Sequence, residues 1–181
     1  DAWGTFSYDC TVADGVLTVD VDGVEPKEYR EYTQIGPFRI LSSYMSPFYR
    51  NTVTITLPNK MYDSIQVETA SGSIQLRGIQ SQTAWLTTEY GDIVLSGAQP
   101  QKLTLESKYG DVVFDQAAVT QCEGTTKYGD VTGTIAGSQS SYSTSTAVEY
   151  GDSNLRAQIG DGVHALAFNT KYGDIDVDFT A

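Results

Sequence analysis

The chain has 181 residues, and its 11 Lys and Arg against 23 Asp and Glu give a formal charge of −12. A surface this acidic repels phosphate backbones and anionic lipid headgroups, so we expect no nucleic-acid partner. No apolar run approaches the roughly 18–20 residues that a transmembrane helix needs. Twelve Tyr and seventeen Gly, with abundant Thr and Ser, favour strands and turns over helices.

Residues 1–60 contain short alternating apolar segments, such as Leu17, Val19 and Val21, but no repeat. Alternation of this kind predicts strands. A stack of repeats needs a cover for its first unit and for its exposed sheet edge. We therefore interpret residues 1–60 as an N-terminal β cap that is continuous with the rest of the chain.

Residues 61–181 carry a repeat. The tripeptide Tyr-Gly-Asp occurs five times after a degenerate copy, Ser71-Gly72-Ser73, and successive central glycines are 19, 19, 19, 22 and 22 residues apart. Apolar residues alternate with polar ones on both sides of each tripeptide, as at Leu103 and Leu105 before Tyr109. This pattern indicates a strand, a turn and a second strand in every unit.

A unit of about 19 residues cannot bury its apolar face alone, but units stacked about 4.8 Å apart share one core. We therefore predict an all-β fold: a single-chain, two-sheet parallel β-solenoid of about six short rungs, each of 19–22 residues, over residues 61–181. The two longer steps predict inserted loops, one in residues 137–146 and one around Gly160-Asp161-Gly162.

Two segments of the chain resemble a known family. Residues 54–58 read Thr-Ile-Thr-Leu-Pro, residues 65–74 run from Ile65 to Ile74 through Ser71-Gly72-Ser73, and recurrent Gly-Asp-Ile/Val turns follow. This pattern resembles a family of bacterial adhesin domains of unknown function over roughly residues 50–181. The resemblance implies a β-solenoid on an exported or envelope-associated protein, and no catalytic or binding residue carries over. Tyr before Gly-Asp departs from the small residue that is usual in the family.

The aspartates of the repeat form one predicted column: Asp92, Asp111, Asp130, Asp152 and Asp174. Asp in a turn hydrogen-bonds nearby amides, so we interpret these residues as stabilising the turns. Calcium also prefers carboxylate and carbonyl oxygens, which leaves calcium sites as a weak alternative, although the known calcium-binding repeats are absent. A glycosidase needs two carboxylates in unlike environments, and five equivalent copies argue against one.

The tyrosines of the repeat form a second column: Tyr90, Tyr109, Tyr128, Tyr150 and Tyr172. They share parity with the inward Leu and Phe positions, so one interpretation is a structural stack at the edge of the core with its hydroxyls in water. The alternative is an exposed aromatic strip that binds sugar faces or peptides. These five residues are the candidate ligand-binding residues.

Charged residues precede the tyrosines: Glu89, Lys108, Lys127, Glu149 and Lys171. Taken in chain order, three of the four neighbouring steps pair opposite charges, and the Lys108–Lys127 step does not. Cross-strand pairs of opposite charge help to set the register of neighbouring strands.

Cys10 and Cys122 are the only cysteines, and His164 is the only histidine. Cys122 aligns with the inward Leu103, which favours a buried free thiol over a disulfide. The sequence has no HExxH, no GxSxG and no Cys–His pair close in sequence, so zinc and nucleophilic chemistry lack their usual groups. Nucleotide-binding glycine loops are also absent.

We therefore expect a non-catalytic, surface-associated bacterial binding domain, extracellular or attached to the cell envelope, that needs no cofactor. Its expected partner is a glycan, a cell-wall component or a matrix component. One alternative is a structural or regulatory envelope scaffold that binds another protein, and a weaker one is a carbohydrate-active enzyme. Exposed tyrosines would favour the first, buried tyrosines the second, and a cleft joining unlike carboxylates the third.

Overall fold

The computed structural model describes residues 7–22, 30–35, 37–45 and 50–180. The chain divides into two compact units, Asp1–Pro58 and Asn59–Ala181. That the first unit covers the first rung stays a prediction. Within the described ranges, no helix is long and apolar enough to cross a membrane.

The first unit is built from antiparallel strands. β1 (Ser7–Ala13) and β2 (Val16–Asp22) form a hairpin, and β3 (Arg30–Ile35), β4 (Phe38–Met45) and β5 (Arg50–Thr56) form a three-stranded sheet. The hairpin turn consists of Asp14 and Gly15, whose φ angles are 52° and 80°. Two positive φ values are what a type I′ turn requires, and Asp-Gly is a favoured sequence for it.

The second unit is a parallel β-solenoid with two sheets, which confirms the predicted fold. The strands of its first sheet are β6 (Met61–Ser71), β8 (Gln80–Tyr90), β10 (Gln99–Tyr109), β12 (Gln121–Tyr128), β14 (Tyr142–Tyr150) and β15 (His164–Tyr172). The strands of its second sheet are β7 (Ile74–Arg77), β9 (Ile93–Ser96), β11 (Val112–Ala117), β13 (Val131–Ala136) and β16 (Ile175–Thr180). A 3-10 turn, Gln139–Ser141, precedes β14.

We number the rungs in chain order. Rung 1 is β6 with β7, rung 2 is β8 with β9, rung 3 is β10 with β11, and rung 4 is β12 with β13. Rung 5 is β14 with residues 151–155, and rung 6 is β15 with β16. Equivalent residues of neighbouring rungs pair in register, so that Tyr109 pairs with both Tyr90 and Tyr128.

The rungs do not stack in chain order. The first sheet has the order β14-β15-β12-β10-β8-β6, and the second has β16-β13-β11-β9-β7. Rung 6 therefore lies between rungs 4 and 5, and rung 5 is the outermost. The loop at 137–141 must consequently pass the level of rung 6, and residues 151–163 return the chain from rung 5 to the inserted rung.

The core lies between the two sheets and consists of inward apolar residues stacked from rung to rung. Phe168 of rung 6 is fully buried and pairs in register with Gly124 of rung 4. A Cβ on Gly124 would lie closer than 3.0 Å to the Phe168 ring, so the glycine leaves the space that the ring fills. Burial of one phenylalanine contributes about 1.5–3 kcal/mol, which favours rung 6 as the neighbour of rung 4.

Candidate binding site

The Tyr-Gly-Asp tripeptide lies at the corner where each rung passes from the first sheet to the second. Between rungs 3 and 4, the Gly110 N–H donates to the Tyr128 carbonyl (3.0 Å) and the Val112 N–H donates to the Asp130 carbonyl (2.8 Å). The same two bonds recur between every pair of neighbouring rungs in the stack. The inter-rung hydrogen bonding therefore continues around the corner without a break.

Glycine is required at this corner for two reasons. The φ angle of Gly110 is 156° and that of Gly91 is 147°, values that side chains disfavour. A Cβ on Gly110 would also lie closer than 3.0 Å to the carbonyl of Gly91 in the rung below. The glycine backbones thus stack directly on one another.

A row of buried hydroxyls holds the corner from inside the core. Each hydroxyl belongs to the residue three positions before the glycine and donates to the glycine carbonyl of the neighbouring rung, over 3.0–3.1 Å. The donors are Thr88, Ser107, Thr126 and Thr170. All four are almost fully buried, and the bond satisfies each hydroxyl where water cannot reach it. The sequence analysis did not identify this role. The feature that indicates it is an inward Thr or Ser three positions before the glycine.

The aspartates form a ladder between rungs. Four Asp N–H groups donate to the Oδ1 of the aspartate in the rung below, over 2.7–2.9 Å. The Asp92 N–H donates instead to the Ser73 hydroxyl of rung 1 (3.1 Å). In stacking order the ladder is Asp92, Asp111, Asp130, Asp174 and Asp152. The carboxylates therefore bind turn amides, as the turn-stabilising interpretation holds, but the amide comes from the adjacent rung. In the part of the chain that the structure describes, no group of three or more His, Cys, Asp or Glu is placed to hold a metal ion. Calcium binding by this column stays a prediction.

The five tyrosines of the repeat stack into one continuous column. In stacking order they are Tyr90, Tyr109, Tyr128, Tyr172 and Tyr150. Neighbouring ring centroids are 4.9–5.0 Å apart, and the ring planes lie within 5° of parallel. This is an offset stack of the kind that aromatic pairs favour.

The tyrosine column is exposed, with relative exposures of 38–58%. The three inner rings are 38–40% exposed, whereas the two end rings, Tyr90 and Tyr150, reach 51% and 58%. The inner rings share their faces with their neighbours, so they present edges to solvent. Only the two end rings have a face that no other tyrosine of the column covers. The structure thus combines both interpretations of the sequence: the rings stack as structural elements and still form a surface strip.

The charged row beside the tyrosines differs from the sequence-based expectation. Its stacking order is Glu89, Lys108, Lys127, Lys171 and Glu149. Two of its four neighbouring steps pair opposite charges, not three, because the insertion of rung 6 places Lys171 next to Lys127. The expectation was wrong because it assumed chain order.

The three lysines lie over the tyrosine rings. Their Nζ atoms are 5.3–5.6 Å from the centroids of Tyr109, Tyr128 and Tyr172, within cation–π range. Lys108 Nζ is 2.6 Å from Glu89, and Lys171 Nζ is 3.1 Å from Glu149. The hydrogen bond to its glutamate raises the pKa of each of these two lysines. Lys127, between them, has no carboxylate partner in the described ranges. We call the five tyrosines with Lys108, Lys127 and Lys171 the tyrosine strip.

The remaining chemical candidates lie away from this strip. Cys10 and Cys122 are both free thiols, and Cys122 is buried as predicted, which raises its pKa. His164 Nδ1 lies 2.6 Å from the Asp161 carboxylate. The amides of His164 and Val163 also donate to this carboxylate, and the His164 contacts above all hold the pKa of Asp161 at about 2. This pair orders the return loop, and sequence reasoning missed it.

One of the comparisons with known proteins identifies a family. No curated protein and no solved structure matches the chain. The model of the Toastrack DUF4097 family matches residues 8–181, nearly the whole chain. The protein therefore belongs to the Toastrack DUF4097 family of β-solenoid domains of unknown function.

Proposed function

We propose that the protein is a non-catalytic binding domain, exported to the cell surface or envelope, whose tyrosine strip binds a glycan or cell-wall polymer. The observation that carries the proposal is the exposed column of five stacked tyrosines. Four steps of about 4.8 Å make the column about 19 Å long. A polymer lying along the stacking axis would meet the same side chains at each step.

The chemistry of the strip suits a polyhydroxylated ligand. The inner rings offer their edges and hydroxyls, and a phenol both donates and accepts hydrogen bonds. The open faces of Tyr90 and Tyr150 are suited to stacking on the apolar face of a sugar ring. Lys127 adds three N–H donors at the centre of the strip without a competing carboxylate. The stacked rings are already ordered in the free protein, so little conformational entropy is lost on binding.

Several observations favour binding over catalysis. Four of the five aspartates, Asp92, Asp111, Asp130 and Asp174, accept the same amide bond from the next rung, whereas a pair of catalytic carboxylates needs unlike environments. In the described ranges, no hydroxyl or thiol forms a hydrogen bond with the His164 ring, so the Asp161–His164 pair has no nucleophile to activate. Cys122 is buried, and its raised pKa disfavours the reactive thiolate.

The proposal is tested by binding of the purified protein to an array of bacterial and host glycans, with and without calcium. We expect ligands whose binding falls when Tyr128 is replaced by Ala at the centre of the strip, and when Lys127 is replaced by Gln. The matched control is Trp85→Ala, because Trp85 is an exposed aromatic of the same sheet, 46% exposed, outside the strip.

Equal losses of glycan binding in the Tyr128 and Trp85 variants would show that the tyrosine strip is not the binding site. A blank array in both buffers would contradict glycan recognition. It would favour the second candidate, an envelope scaffold that binds another protein, for which the unpaired outer edge of β14 beyond Thr144 is the supporting observation. Binding that disappears on chelation would assign calcium to the Asp ladder.

A further inference from the structure

The outer end of the solenoid is only half covered. Gln158 pairs with Thr144 of β14 through both N–H···O bonds, and the Gly160 N–H donates to the Ser143 hydroxyl. The return segment thus covers the first half of β14. Because the direction of backbone groups alternates along a strand, Thr146 and Val148 point their N–H and C=O groups outward like Thr144. In the described ranges, these groups have no partner.

The corner of rung 5 also has polar groups without hydrogen-bond partners. In rungs 2, 3 and 4, the glycine N–H, the glycine carbonyl, the Asp Oδ1 and the N–H after the aspartate all bind the next rung outward. Rung 6 binds rung 5 in the same way except at the Gly173 carbonyl, because Val148 has no hydroxyl. In rung 5 the equivalent groups belong to Gly151, Asp152 and Ser153. None of these groups has a hydrogen-bond partner within the residues that the structure describes. Tyr150 stacks on Tyr172 with one face only, and its other face is open.

Rung 5 therefore presents the complete set of groups that the next rung satisfies elsewhere in the stack. The complementary segment is defined by the junctions between rungs 2 and 3, 3 and 4, and 4 and 6. It needs a Thr or Ser hydroxyl for the glycine carbonyl, an aromatic ring for the open tyrosine face and a glycine that allows the backbones to touch. It also needs an amide at the following position for the carboxylate. A side chain in place of that glycine would meet the carbonyl of the rung below, as at every inner corner.

We propose that the outer edge of rung 5, from Thr146 to Ser153, binds an extended peptide segment of the form Thr/Ser-X-aromatic-Gly-X from a partner protein, which docks as an additional parallel rung. The backbone ladder supplies the binding, as in other cases of strand addition to a sheet edge, and the aromatic and glycine positions supply the selectivity. This site lies at the end of the stack and shares Tyr150 with the tyrosine strip. The inference does not require that the strip binds a glycan, but a docked peptide would cover the open face of Tyr150.

The outer edge of β16, at the same end of the stack, is a poorer site. The Asn154 side chain occupies the outer edge of β16, donating to the Val177 carbonyl (3.3 Å) and accepting from the Val177 N–H (3.1 Å). A cavity of ≈ 440 Å³ beside Asn154 is lined by residues 137–139 and by Phe179. Because the Asn154 side chain already binds the backbone of Val177, a strand cannot add along this edge without displacing it.

The test is an NMR titration of the ¹⁵N-labelled protein with a capped peptide of sequence Thr-Thr-Lys-Tyr-Gly-Asp-Val, the chain's own residues 125–131. We expect shifts of the amides of Val148, Gly151 and Ser153 as the peptide is added. The same peptide with Ala in place of Tyr should bind more weakly, and the peptide with Val in place of Gly should not bind.

Protein variants locate the site independently. Tyr150→Ala should weaken peptide binding by roughly two- to tenfold, the loss of one aromatic stack. Tyr90→Ala is the matched control, since it removes one stack at the opposite end of the column and should leave peptide binding unchanged. Shifts centred on Phe179, equal effects of both variants, or no shifts at millimolar peptide would overturn the proposal. So would end-to-end self-association of the free protein in sedimentation, because a second copy would then be the occupant.

Discussion

Replacing Gly110 by Ala tests the packing of the corner most sharply. The added Cβ would overlap the carbonyl of Gly91, so rungs 2 and 3 must separate locally. Four hydrogen bonds cross this junction. They join Gly91 N–H to the Tyr109 carbonyl, Ile93 N–H to the Asp111 carbonyl, the Ser107 hydroxyl to the Gly91 carbonyl, and Asp111 N–H to Asp92 Oδ1.

The expected loss of stability has two parts. The strained φ of 156° costs an alanine about 1–3 kcal/mol. Loss of at least two of the four hydrogen bonds adds about 0.5–1.5 kcal/mol each. The sum is about 2–6 kcal/mol, a large share of the roughly 5–15 kcal/mol that holds a typical domain folded.

Gly97→Ala is the matched control. Gly97 has a φ of 57°, and a Cβ there would meet no atom within 4 Å, so this variant suffers backbone strain alone, about 1–2 kcal/mol. Urea denaturation followed by circular dichroism measures both variants. If Gly110→Ala destabilises the protein no more than Gly97→Ala, the direct stacking of glycine backbones is refuted.

Three further predictions concern other parts of the unit. Thr126→Val should destabilise the protein by about 1–3 kcal/mol in the same urea assay, because a buried carbonyl loses its hydroxyl donor; a neutral effect would contradict the hydroxyl row. A thiol reagent at pH 8 should modify Cys10 readily and Cys122 only on unfolding, because Cys122 is buried; equal rates would contradict its burial. Asp161 has a pKa lowered from 3.8 to about 2 in the folded state. Its stabilising effect is therefore complete above about pH 4 and disappears as the pH falls through about 2. Asp161→Asn should flatten this part of the acid-denaturation curve, and an unchanged curve would show that the contact with His164 does not form in solution.

The sequence predicted the solenoid and its register because the Tyr-Gly-Asp repeat and the period-2 alternation specify the same arrangement. Each inward position recurs at the same offset from the glycine, so a shift by one residue would expose every core side chain. The hydrogen bonding at the corner was predicted only in part. Asp was expected to bind turn amides, but an amide of the neighbouring rung can be identified only once the rungs are stacked.

The stacking order was not predicted, because the corners at Tyr150 and Tyr172 are equivalent in sequence and either could pair with Tyr128. Two features outside the tripeptide distinguish them. Phe168 fits the space above Gly124, where chain-order stacking would place Thr146. Rung 6 also has a full second-sheet strand, whereas rung 5 has only an isolated bridge at Ser153 there, which suits the end of a stack. The exposure of the tyrosines likewise follows from the corner geometry and not from their parity.

The peptide-docking proposal depends on the position of rung 6 between rungs 4 and 5, and pairs of engineered cysteines test this position directly. In a protein without its two natural cysteines, one variant carries Lys127→Cys with Lys171→Cys, and the other carries Lys127→Cys with Glu149→Cys. Neighbouring strands are about 4.8 Å apart, and strands two rungs apart are about twice that distance, beyond the reach of a disulfide. The structure predicts rapid oxidative crosslinking of 127 with 171 and none of 127 with 149. Crosslinking of 127 with 149 instead would show that the rungs stack in chain order and would contradict the account.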